Sequence, residues 1–213
     1  DVDPVRIDAA KTAALNFVEL APEDLRIGLV AFAGVAIPAV APTTDRDVLS
    51  SAIARLSLAE GTAIGEAIYT SIDLVDVERG AEGEDVPVAI VVLSDGETTV
   101  GRSELEAATA AAEADLPVST IAFGTPEGSI VYEGEVVPVP ANEGALREVA
   151  ETTGGRFFEA ASVGELQQIL DDVGSEIGLE TEEQELWEGF LFGGIAVLVV
   201  AAGASLLWFS RMP

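Results

Sequence analysis

The chain has 213 residues, with 38 acidic side chains against ten basic ones, a formal charge of −28 and neither His nor Cys. A field of that sign repels phosphates, which argues against DNA, RNA and anionic lipid headgroups as partners. Without His or Cys there are no Ser-His or Cys-His catalytic pairs, disulfides, thiol chemistry or usual zinc ligands.

In chain order, Val5, Ile7, Ala10, Ala14, Leu15 and Val18 recur at helical spacing, with Asp3 as N-cap and Pro4 at the first helical position. Residues 25–33 read as a buried strand and 35–40 as a second, turning at Gly34. Thr44 is expected to cap a helix over 45–56, and another helix follows over 64–77. The β-branched run 88–93, VAIVVL, has the signature of a central strand covered on both faces, with parallel neighbours. A helix from Ser103 to about Asp115 is broken by Pro117, and 118–123 is again an apolar strand. Residues 129–140 look like a hairpin turning at Glu133-Gly134, inserted before a helix over 143–152. Gly154-Gly155 stops that helix, 156–158 is a short strand, and 163–177 is the last helix before an acidic stretch.

Strands alternating with helices imply an α/β domain, a doubly wound, mostly parallel sheet with helices on both faces. Such a domain normally starts on a central strand, whereas this chain starts on a helix with no initiator Met, so its first central strand is expected to be missing. Residues 1–177 are then one domain and 178–187 an acidic juxtamembrane linker. Residues 190–209 carry no charge and are long enough, at 1.5 Å per residue, to cross about 30 Å of hydrocarbon. A transmembrane helix is therefore expected over 188–210, with Trp187 and Trp208 near its ends and a tail at 211–213. Arg211 in the tail, set against an acidic flank, puts the tail in the cytoplasm and the domain outside the cell membrane.

In open parallel sheets, ligands bind at the carboxyl ends of the strands. Two segments fall there: Leu93-Ser94-Asp95-Gly96-Glu97 and Gly61-Thr62-Ala63-Ile64-Gly65. A carboxylate near a hydroxyl is oxygen chemistry, suited to Mg²⁺, Mn²⁺ or Ca²⁺. The same residues also read as a plain Asp-Gly turn and a helix cap.

These segments resemble the second and third motifs of the von Willebrand factor type A domains, and the chain begins just beyond the first, Asp-x-Ser-x-Ser. Residues 1–6, 119–125 and 154–158 are further similar to bacterial membrane-anchored proteins of the BatA type, including an actinobacterial group. The resemblance implies a metal-ion-dependent adhesion site holding Mg²⁺ or Mn²⁺. Thr62 would give its hydroxyl to the metal directly, and Asp95 would bind it directly or through water. One coordination position stays open for an acidic side chain of a protein partner. With two of five ligands present, binding in this chain is expected to be weak. A partnership with a MoxR-type AAA+ ATPase is implied by analogy.

The function expected is thus a non-enzymatic, membrane-anchored binding module in cell-envelope complex assembly. One alternative is a Mg²⁺-dependent phosphohydrolase, although no P-loop, no Gly-x-Gly-x-x-Gly and no paired His is present. Another is a structural anchor with a degenerate site, in which Thr62 and Asp95 only cap and turn.

Overall fold

Apolar β-branched runs separated by helical periodicity fold as layers, because each strand run must be covered on both faces. The computed structural model describes residues 6–82, 87–94, 98–123, 129–132, 135–138 and 143–180. The elements run α1 (Arg6–Leu20), β1 (Ile27–Phe32), β2 (Ala36–Thr43), α2 (Arg46–Arg55), α3 (Ile64–Glu82), β3 (Ile90–Ser94), α4 (Glu104–Glu113) and β4 (Val118–Phe123). They continue as β5 (Ser129–Tyr132), β6 (Glu135–Pro138), α5 (Glu143–Thr153), β7 (Phe157–Ala160) and α6 (Val163–Glu180). The expected Asp3 cap, most of the linker and the segment 188–210 lie outside the described residues. Among the described residues no helix is long and apolar enough to cross a membrane.

The parallel sheet has the order β3-β4-β7, with Val92 opposite Thr120 and Ile121 opposite Phe158. Every residue of β4 is buried, because it has a strand on each edge and helices on each face. On one face Ile64 and Ile68 of α3, Ala108 of α4 and Leu146 of α5 pack against Ile90, Val92 and Val118. On the other, Ala9 and Ala13 of α1 and Leu166 of α6 pack against Ile121, Phe123 and Ala160. Thr120, fully buried, donates its hydroxyl to Leu146 O at 2.7 Å and so pays for its polarity within the core.

The expected parallel sheet is present, and the remaining described strands pair apart from it. β1 and β2 form a separate antiparallel pair, and among the described residues β3 has a strand neighbour on the β4 edge alone. Helices join the two pieces. α1 runs from the cluster over β4 and β7 to one in which Val18, Leu49 and Ile53 cover Ile27, Leu29 and Val40. Phe32 of β1 packs on the core that α3 shares with β3.

Local differences have local causes. Asp45, not Thr44, caps α2, since its carboxylate accepts from both Asp47 N–H (3.1 Å) and Val48 N–H (3.0 Å). β2 runs on to Thr43 through Pro38 and Pro42, which the edge of a two-stranded pair tolerates because no further strand needs their missing N–H groups. α3 continues to Glu82 and α6 to Glu180, the latter three residues into the acidic stretch, because neither extension contains a proline and the single glycine in each weakens a helix without ending it. The hairpin closes as expected, Tyr132 opposite Glu135.

Candidate metal site

Thr62 stands two residues before the start of α3, and the two residues that follow it, Ala63 and Ile64, are fully buried and anchor it to the core. The segment that resumes after β3 docks onto it. Thr99 N–H donates to Thr62 O at 2.8 Å, Val100 N–H to the same oxygen at 3.3 Å, and Thr62 N–H donates to Thr99 Oγ1 at 2.8 Å. The turn after β1 closes the group: a side chain at Gly61 would meet Gly34 Cα at 3.2 Å and Val100 Cγ2 at 3.4 Å. Three loops thus converge at Thr62, all of them leaving or entering elements that carry the core.

Asp95 lies outside the described residues, as do Gly96 and Glu97. Their neighbours are placed. Ser94 ends β3 and is buried, and Thr98 Oγ1 is buried with no hydrogen-bond partner among the described residues. The donors brought together are hydroxyls and backbone carbonyls, without nitrogen or sulfur. That set suits a hard divalent cation, and a buried hydroxyl lacking a protein partner fits a place where water or an ion completes the bonding. Among the described residues no three carboxylates converge, so a cation here would depend on Asp95 or water for the rest of its shell.

Beside this group is a second arrangement that the motifs do not announce. Glu66, in the first turn of α3, accepts from Arg102 N–H (3.0 Å), Nε (2.9 Å) and Nη2 (2.7 Å). The Arg102 guanidinium lies 3.6 Å from the ring centre of Tyr69, one turn further along α3. Hydrogen bonds from the Arg102 side chain, then from its backbone N–H, hold the Glu66 carboxyl down at about 2, against an ordinary 4.5. In the sequence only the Glu66/Tyr69 spacing on one helix face hints at it. Their partner is 36 residues away from Glu66.

The family model for the von Willebrand factor type A domain matches residues 1–172. A UPF0353 protein of Mycolicibacterium gilvum is 36% identical over the whole chain. The chain spans 66% of that relative's length. Among solved structures, BatB from Bacteroides thetaiotaomicron aligns with a TM-score of 0.70 and 30% identity, covering 84% of this chain and 91% of that one. An aerotolerance-related membrane protein from Bacteroides fragilis aligns with a TM-score of 0.71 and 25% identity, covering 83% and 90%. With more than half of its length matched, the chain belongs to the von Willebrand factor type A domain family.

Proposed function

We propose that this chain is the binding module of a membrane-anchored protein, and that it engages a protein partner through a divalent cation held by Thr62 and Asp95. The observation that carries the reading is the pair of 2.8 Å hydrogen bonds between Thr62 and Thr99, which tie the loop before α3 to the segment following Asp95. When bound, the cation supplies a positive centre with an open position for a carboxylate oxygen. The chain's own residues do the rest: the buried Ala63-Ile64 step fixes Thr62, and the cross-loop bonds hold it against Thr99 and Val100. A partner carboxylate would otherwise meet a protein of charge −28, so a cation at the contact is what makes such recognition feasible.

The cation proposed is Mg²⁺ or Mn²⁺. Calorimetric titration of either into the chain tests it: Asp95→Ala, which removes a charge, should weaken binding by about tenfold or more, and Thr62→Ala, which removes a neutral oxygen, by less. Equal affinity in all three proteins would favour the structural-anchor reading. For the location, the membrane-protein relative supports an envelope setting. The proposed topology has the domain outside, the membrane crossed over 188–210 and Pro213 inside, with a MoxR-type ATPase among the complex partners. Protease added to intact cells should then remove the domain. Its protection until lysis would reverse the topology.

A further inference from the structure

We propose that Glu66, Arg102 and Tyr69 form a latch that positions the Thr62 site, so that metal affinity depends on residues that never touch the metal. The inference rests on the metal-site reading above. Its own basis is how much local structure is committed to one exposed ion pair. The pairing is bidentate, a third bond comes from the Arg102 backbone N–H, and Tyr69 closes one face of the guanidinium. Two glycines make room for it. Gly101 has φ +86°, and a Cβ there would meet Glu66 Cγ at 2.8 Å, while a Cβ at Gly65 would collide with the carbonyl of Arg102.

Stability does not explain this investment. The Arg102 side chain is 51% exposed, and exposed ion pairs contribute little to folding. What the latch does fix is position. Glu66 lies four residues after Thr62 on the start of α3, and Arg102 lies three after Thr99, so the latch and the Thr62–Thr99 bonds clamp the same two segments at two points. Two points define an orientation where one leaves a pivot. The carbonyl of Thr62, its hydroxyl and the chain resuming at Thr98 are thereby held in one relative geometry. Partners that orient ligands in this way typically change metal affinity 10–100-fold when removed.

Charge and position make opposite forecasts, which allows a clean test with Mn²⁺ titrated into the chain and its variants. Arg102→Gln deletes a cation near the site, so on charge alone binding should tighten. If the latch positions the site, binding should weaken about tenfold, as it should in Glu66→Gln, and Arg102→Lys should recover part of the loss. Amide exchange at Thr99 and Val100 should quicken in the same variants, while melting temperatures stay close to the parent's. Unchanged or tighter binding in Arg102→Gln, alongside weaker binding in Thr62→Ala, overturns the latch and leaves the metal site standing. Unchanged binding in Thr62→Ala, or no Mn²⁺ binding by the parent chain, overturns both.

Discussion

β3 and β4 have nearly the same kind of sequence and quite different surroundings. Both are short apolar β-branched runs, paired to each other in parallel register. Yet all of β4 is buried, whereas Val91 in the middle of β3 is 37% exposed. Thr120 N–H in β4 bonds across to Arg156 O, on the β7 side, and Ile90 N–H in β3 bonds to Pro117 O, on the β4 side. By the alternation of a strand, Val91 and Leu93 then direct their N–H groups to the edge that carries no strand among the described residues. The expectation that the run 88–93 is covered on both faces therefore holds for the face of Ile90 and Val92 and not fully for that of Val91. An apolar run carries no information on how many edges are paired.

The largest expected effect that separates the two strands is on stability. Ile121→Ala removes a fully buried side chain of β4 and should cost about 2–5 kcal/mol, whereas Val91→Ala should cost about 1 kcal/mol or less. Urea unfolding of the two variants measures both, and equal losses would mean that β3 is as well covered as β4. Next comes amide exchange. Val91 and Leu93 should exchange at least about tenfold faster than Val92, while Thr120 and Ile121 are both protected. Uniform protection along β3 would mean that its second edge is paired after all. Smaller again is Thr120→Val, which keeps the shape but leaves the Leu146 carbonyl one donor short inside the core, a loss of about 1 kcal/mol. The same exchange at Thr98, whose buried hydroxyl has no such bond among the described residues, should change stability less.

The smallest effect concerns pH at the latch. Because the Glu66 carboxyl is held down at about 2 in the folded chain, its ionisation favours folding fully above about pH 4.5, and that contribution fades as the pH falls through about 2. Carboxyl NMR should find Glu66 still ionised at pH 3.5, and a titration near 4.5 would show the pair with Arg102 open in solution.

What the sequence made legible follows the range over which its signals act. β4 has its expected bounds, and the hairpin strands pair as expected, Tyr132 opposite Glu135, because apolar length and turn chemistry are local. The α2 cap was one residue off because Thr44 and Asp45 are both good caps, and only geometry selects the carboxylate that reaches two N–H groups. The expected second strand includes Pro38 but ends at residue 40, and its continuation through Pro42 follows only once the strand is known to be an edge. At the candidate site, Thr62 was legible from its motif. Arg102 was not, since no local pattern signals a partner 36 residues away. The hydrogen bonds between Thr62 and Thr99 were hidden for the same reason.

The first and last described helices lie side by side: α1 and α6 share one cluster over β4 and β7, and Asn16 Nδ2 donates to Gln167 Oε1 at 3.2 Å. A force applied to the chain beyond either helix would therefore act on the α1–α6 layer before it reaches β4. The layer of α3, α4 and α5, whose first helix follows directly on Thr62, sits on the other face of the sheet. On the proposed reading, a load entering through α1 or α6 and a partner engaged at Thr62 would therefore reach the same three strands through different layers.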